Sequence, residues 1–572
     1  MTAREASFCK ALFFGVVAED LVFPFPGVDD SFLTSVHERV ARVRKFVEAE
    51  VDSVAIDREA RVEPVTLARM RELGLFGLSV PTDLGGSGLS RLAAARVVAE
   101  LSAGDASLGL VSVAHEAIAL RAILAFGSPE QRRRWVPPLA RGERLMCFAL
   151  AEESSGTDAG TIRTIAERTA DGWLLEGDKP WVTNAANADV FVVLARTSRL
   201  DEGHKPRLTP FIVERGPGVS VEPRRSTLGL RGAGVGRVAL RGVRLPPDAI
   251  LGEVGRGFRV AMEVMTDARV ALSAWLFGQL RALVGWTVAR VQDRRSFGRA
   301  IGEFPILKNK VAKMLADAFA VESMTFLTAG LVDRHVDDIS IESSVSRLAA
   351  SEALWRTANE AMQIAGGSGY DATLPVERRL RDARGGLVVD GTNETLRCFV
   401  ALAGMRGPGE RLTDVERAMV EPVKGFGLLR DFALRKVREA MRRERMTQAH
   451  PLLSREAVIF EEGTDALHRA ADRALRDHGR EIAEMQQTQV RIANVVIDLY
   501  ALAACITRTS RAIEQRGESG ARREIDLTGM FASAARGRMQ ANLGRLEHAD
   551  DALRKSISAR TYTDGGYPFD VI

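Results

Sequence analysis

Between about Cys147 and Val254 the chain abandons helical periodicity, and that interruption constrains its fold more than any other feature. Short runs rich in β-branched and aromatic residues, such as Trp173 to Gly177, Val190 to Ala195, Thr209 to Val213 and Arg237 to Leu240, are bounded by Gly, Pro, Asp and Asn. That is the pattern of strands joined by turns. On either side apolar residues recur three and four apart, as in Val36, Val40, Val43 and Val47, which reads as helix. The expected class is mainly α with a central β domain. A chain of 572 residues needs several cores. The pattern divides it into an irregular N-terminal extension (1–34), a helical domain (35–145), a β domain (146–254) and a long helical remainder from residue 255 onward.

Charge and cysteine usage exclude some functions. The formal charge of +4 is small for this length and both signs are interspersed, so no basic footprint for nucleic acid is present. Cys9, Cys147, Cys398 and Cys505 are far apart, show no metal-ligand spacing and read as reduced thiols. The best candidate for a membrane span, Ile492 to Ile506, is short and interrupted by Asn494 and Asp498, so a soluble chain is expected. Ala11 to Ala18 imitates the apolar part of a signal peptide but is followed at once by Glu19 and Asp20. Phe426 to Met446 sets Phe426, Leu429, Phe432 and Val437 among Arg430, Arg435, Lys436, Arg438 and Arg442. Such a basic amphipathic helix suits an anionic membrane surface or solvent equally.

Three stretches carry chemistry. Gln363 to Arg397 closes a helix on the turn Gly366-Gly367-Ser368-Gly369, where backbone amides can approach an anion or cofactor. An arginine-rich helix follows, and then the apolar step Leu387-Val388-Val389 delivers Asp390 onto Gly391-Thr392-Asn393. An acid placed so is either a turn cap or a general base. The loop Ala151 to Asp158 is rich in hydroxyls and glycine, and Trp181-Val182-Thr183-Asn184 ends a strand with an aromatic plane beside a hydroxyl. Ala119 and Ala122, one helical turn apart, allow either close helix packing or room for a ligand chain, and the neighbouring His115 reads as a packed residue.

Taken in order, these pieces resemble the acyl-CoA dehydrogenase family: a Gln-x-x-Gly-Gly-x-Gly turn, an arginine-rich helix and a catalytic Glu-Gly-Thr, whose glutamate position is Asp390 here. The resemblance covers about Ser35 to Gly407. It implies a helical N-terminal domain, a β-barrel middle domain, a four-helix-bundle domain over residues 255–408 and, as in the very-long-chain branch, an appended helical domain over residues 409–572. It implies FAD, an acyl-CoA substrate, an electron-transfer flavoprotein as acceptor, and a homodimer. By the same resemblance Asp390 is the catalytic base. Leu150, Ala151, Gly156, Thr157, Trp181, Thr183, Gln363, Gly366, Gly367, Thr392 and Asn393 would touch FAD, and Arg294 and Phe297 would reach the FAD of a neighbouring subunit. Thr157, Arg269, Val389, Gly391, Ala119 and Ala122 would line the substrate, with the two alanines at the base of the acyl tunnel, which favours medium to long chains.

Three departures cluster at the reacting centre: Asp390 for glutamate, Val389 for the usual aromatic, and Ala151 for a hydroxyl residue. Ala268 stands where some members carry the glutamate instead. Two readings follow: a dehydrogenase of β-oxidation with an aspartate base, or a flavin-binding relative acting as an assembly or heteromeric partner. The transit peptide of mitochondrial members is lacking, so a prokaryotic, cytoplasmic protein is expected, with peripheral contact at the inner membrane through residues 426–446 as an option.

Overall fold

A computed structural model describes residues 7–28, 30–198, 207–224, 226–420, 445–547 and 550–570. The chain forms two compact units, Phe25–Asn393 and a second made of Met1–Pro24 with Glu394–Ile572.

At the centre of the first unit is a seven-stranded sheet of β1 (Met146–Ala149), β2 (Ile165–Thr169), β3 (Gly172–Val182), β4 (Val190–Arg196), β5 (Leu208–Glu214), β6 (Val219–Pro223) and β7 (Gly236–Leu245). The order is β1-β4-β2-β3-β7-β6, with β5 also on β4. β1 runs parallel to β4 with Met146 opposite Val190, and β5 runs antiparallel to it with Leu208 opposite Arg196. Every residue of β4 is buried, which explains why its sequence shows no alternation. Val190 and Val192 join a core with Leu120, Ile123, Trp135 and Val136, whereas Phe191 and Val193 join one with Trp173 and Phe211.

Long helices flank the sheet in sequence. Arg91–Gly104 precedes it, and Gly257–Asp293, Pro305–Asp333, Ser340–Ala365 and Pro375–Gly385 follow. Gly278 allows the first of these later helices to lie against Arg91–Gly104, because a Cβ there would stand 2.1 Å from the Ala99 carbonyl oxygen. Trp275 donates from its indole to the Ala106 carbonyl at 2.8 Å. Among the described residues three helical stretches, Ala106–Phe126, Pro305–Asp333 and Gln486–Gly520, are long and apolar enough to cross a membrane by length and composition, contrary to the sequence expectation. Between 72% and 83% of their apolar windows is buried inside the protein.

In the second unit the helices Ser454–His478, Gln486–Gly520 and Arg522–Glu547 are joined by Phe8–Leu12. The Phe8 ring lies 6.1 Å from the rings of Phe460 and Tyr500. Residues 1–34 are therefore not uniformly irregular: Ser7 caps Phe8–Leu12 by accepting from the Lys10 amide, and a further helix spans Asp30–Ala49. Five residues are too few to display a 3.6-residue period. The helix Asn393–Val420 also continues through Gly407-Pro408-Gly409, with Pro408 inside it, so no break falls at residue 408. The basic segment 426–446 lies outside the described residues up to 444.

Candidate active site

The turn carrying Asp390 begins where the Pro375–Gly385 helix ends. The Val388 and Val389 amides both donate to the Gly385 carbonyl at 3.0 Å, and the Asn393 amide donates to the Leu387 carbonyl at 3.2 Å. Between them Asp390 and Gly391 take left-handed backbone angles, φ 63° and 89°. Aspartate is among the few non-glycine residues that enter this region readily. The Asp390 side chain is 3% exposed, and its Oδ2 accepts from Arg269 Nε at 2.9 Å. Arg269 is itself fixed by donating from Nη1 to Ser344 Oγ at 3.2 Å. Among the described residues no hydrogen bond reaches Asp390 Oδ1, and no backbone acceptor engages the Asp390 amide. Burial pushes this carboxyl above the ordinary aspartate range, against the opposing pull of Arg269 and Arg347.

Arg269, which the resemblance places at the substrate, is held against the acid. The expected Val389, Gly391 and Asn393 gather at the same turn around Arg347, which neither motif nor spacing had singled out. Arg347 donates to the Val389 and Gly391 carbonyls and to the Asn393 side-chain oxygen. Thr392 is half-buried within the same turn.

The remaining expected positions sit on other elements of the same unit. Trp181 stands near the end of β3, 53% exposed, with the Arg224 guanidinium 4.2 Å from its ring centroid and Thr183 half-buried two residues on. The loop from Leu150 to Thr157 is anchored from beneath. Lys179, fully buried on β3, donates to the Leu150 carbonyl and to Glu152 Oε1, both at 2.8 Å, and Glu152 also accepts from the Arg163 and Thr164 amides. Burial lowers Lys179 to about 8, partly countered by Glu152. Leu150 and Ala151 are half-buried, and Gly156 and Thr157 are exposed.

Gln363 is exposed, and its carbonyl accepts from Gly366, whose φ is 64°. Arg294 is exposed at the end of the Gly257–Asp293 helix, and Phe297, 95% exposed, tips the hairpin Arg295–Ala300. A Cβ added at Gly156, Gly366 or Gly367 would meet no atom within 4 Å. An exposed indole with one face under a guanidinium, and loops whose glycines open onto free space, are each suited to a large flat cofactor with an anionic tail.

Ala119 and Ala122 are fully buried in the core with Trp135 and Val136, as packing residues. Neither lines the cavity of about 30 Å³ between the Arg91–Gly104 and Gly257–Asp293 helices, whose wall takes Ala117 instead. The tunnel placement comes from the family resemblance; in this fold Ala122 lies in the helix Arg121–Phe126 and Ala119 in the π-helical segment Ala114–Leu120. Within that segment His115 is buried, its Nδ1 accepting from the Met146 amide and its Nε2 facing the Leu139 carbonyl, each at 3.0 Å. Burial lowers it to about 4. This agrees with its reading as a packed residue.

Architecture and site together define a class, a helix–sheet–helix chain with a buried carboxylate held by an arginine. Within that class the chain belongs to the acyl-CoA dehydrogenase family. The family's N-terminal domain matches residues 36–143, its middle domain 147–243 and its C-terminal domain 255–405, and the ACAD9/ACADV C-terminal domain matches 451–567. The mitochondrial very long-chain specific acyl-CoA dehydrogenase of Macaca fascicularis is 34% identical over 99% of this chain and 88% of its own length. An acyl-CoA dehydrogenase of Bacillus anthracis solved in complex with FAD superposes with a TM-score of 0.79, at 26% identity over 96% of this chain and 94% of its own. A chain in a structure of the electron transferring flavoprotein of Acidaminococcus fermentans does so at 0.62, with 27% identity over 66% of this chain and 99% of its own.

Proposed function

We propose that the protein is an FAD-dependent acyl-CoA dehydrogenase that converts medium- to long-chain acyl-CoA to the trans-2-enoyl-CoA of fatty-acid β-oxidation, with Asp390 as the base. The observation that carries this is a buried carboxylate whose Oδ2 is held by Arg269 while, among the described residues, no hydrogen bond reaches Oδ1 and no backbone acceptor engages the residue's own amide. An α-proton beside a thioester is weakly acidic, so its removal needs a desolvated base and a donor for the oxygen that gains charge. Asp390 supplies both from one residue: Oδ1 takes the proton and the backbone amide holds the thioester oxygen. Arg269 orients the carboxylate and keeps it ionised in a dry setting. Trp181, Thr183, the Gly156–Thr157 loop and the Gln363–Gly367 turn would hold FAD, which when bound accepts the β-hydrogen as hydride.

Aspartate reaches roughly 1.5 Å less far than glutamate from the same backbone. The left-handed turn suits aspartate, and turn and side chain are read as one adapted unit. The alternative of an inactive assembly partner draws on the departures at Asp390, Val389 and Ala151, and the similarity to very long-chain acyl-CoA dehydrogenases does not favour it. We propose further that electrons pass to an electron-transfer flavoprotein. The exposed Arg294 and Phe297 hairpin supports a homodimer whose partner completes the FAD site. A cytoplasmic location, and membrane contact through residues 426–446, rest on the sequence pattern. The test is to supply acyl-CoAs from butyryl to stearoyl with an artificial electron acceptor and identify the products by mass. Enoyl-CoA from the middle and long chains is expected; no enoyl product from any chain contradicts the assignment.

A further inference from the structure

Arg347 is 1% exposed on the Ser340–Ala365 helix, where a guanidinium is costly to bury. It spans the turn that carries Asp390. One nitrogen donates to the Asn393 side-chain oxygen, and another donates to the Val389 carbonyl and to the Gly391 carbonyl, the latter at 3.1 Å. The two carbonyl acceptors therefore lie immediately before and after the acid, and the planar fork binds them and Asn393 in one fixed geometry. Asn393 is held from its far side, its Nδ2 donating to Ser351 Oγ at 3.0 Å and to Glu352 Oε1 at 3.3 Å. Two consecutive left-handed residues persist where the surroundings over-determine them, and here Arg347 provides that restraint. Its charge, like that of Arg269, favours the ionised form of Asp390.

We propose that Arg347 is a positioning residue for the dehydrogenation: its guanidinium fixes the Val389–Asn393 turn so that the Asp390 carboxylate and amide meet the α-proton and the thioester oxygen together. This rests on Asp390 being the base. A merely structural arginine would affect folding and leave the chemical step of the folded protein unchanged.

The test uses full-length, FAD-loaded wild type, Arg347→Lys and Arg347→Met. For each, kcat and KM are measured across pH, together with the isotope effect for α-deuterated acyl-CoA. In Arg347→Lys the charge stays but the fork is lost. With a shift of about 1 Å at the base, kcat should fall about a hundredfold, KM should change little, the α-deuterium effect should grow, and the acid limb of the pH profile should stay in place. In Arg347→Met the acid limb should also move to higher pH, because Asp390 loses a cation. If Arg347→Met does not fold, Arg347→Lys decides. Wild-type kcat and isotope effect in folded Arg347→Lys overturn the inference alone, whereas a wild type that turns over no acyl-CoA overturns the underlying assignment and the inference with it.

Discussion

Arg269→Met should move the acid limb of catalysis without dislodging the cofactor. Asp390 and Arg269 are 3% and 6% exposed and 2.9 Å apart, so water does little to screen them. An opposite charge this close favours an ionised aspartate by roughly 1–3 pH units. Keeping a buried carboxylate ionised without its partner would cost on the order of 3–5 kcal/mol, so Asp390 takes up a proton instead. A base works only when deprotonated, and raising its proton affinity moves the loss of activity to higher pH. The low-pH limb of kcat/KM should therefore climb by about 1–3 units, and below it the rate should fall tenfold per unit. Arg347 remains and keeps the shift from being larger. The assay is anaerobic stopped-flow bleaching of the flavin between pH 5.5 and 9, with Arg269→Lys as the charge-retaining control. A limb coincident with wild type, in Arg269→Met that carries a full complement of FAD, would refute the claim that this arginine tunes the base.

Other consequences follow from buried groups and backbone. His115 must be neutral to accept from Met146, and burial holds it at about 4 against an ordinary 6.5. Its stabilising contribution is complete above 6.5 and is lost as pH falls towards 4, so roughly 2 kcal/mol should vanish between pH 7 and 5. Urea midpoints at the two pH values measure this, and His115→Gln should flatten the difference; an equal slope in both proteins excludes the histidine as its source. Gly366 has φ 64°, and a Cβ added there would find no atom within 4 Å. Backbone strain alone therefore opposes a side chain, so Gly366→Ala should cost about 1–3 kcal/mol locally and release FAD on dialysis. Retention of the full flavin absorbance would contradict it.

The layout was legible because the two periodicities differ: the doubly buried β4 showed as an apolar run between turn residues, and the long helices as three-and-four spacing. Short or irregular pieces escaped. Phe8–Leu12 is too brief to show a period, and the helix through Pro408 defies the usual reading of proline as a stop. Ala119 and Ala122 are packed in the core, and small residues one turn apart do not by themselves tell packing from a ligand channel. At the site, Asp390 and the loops around it were visible as motifs because each is contiguous. The pairing of Asp390 with Arg269, 121 residues away, and the grip of Arg347 on the turn are long-range contacts that no local pattern carries. Lys179 was hidden for the same reason, its partner Glu152 lying in a separate loop.

The central claim is that Asp390 removes a proton from a bound acyl thioester while a flavin in the same site takes the hydride. The most direct measurement is anaerobic addition of saturated acyl-CoA to the yellow wild type and to Asp390→Asn, followed through the flavin's visible absorbance. The account predicts rapid bleaching in wild type, and in the variant a spectral shift on binding without bleaching. A variant that bleaches as fast as wild type, or a wild type that binds and never bleaches, would contradict it.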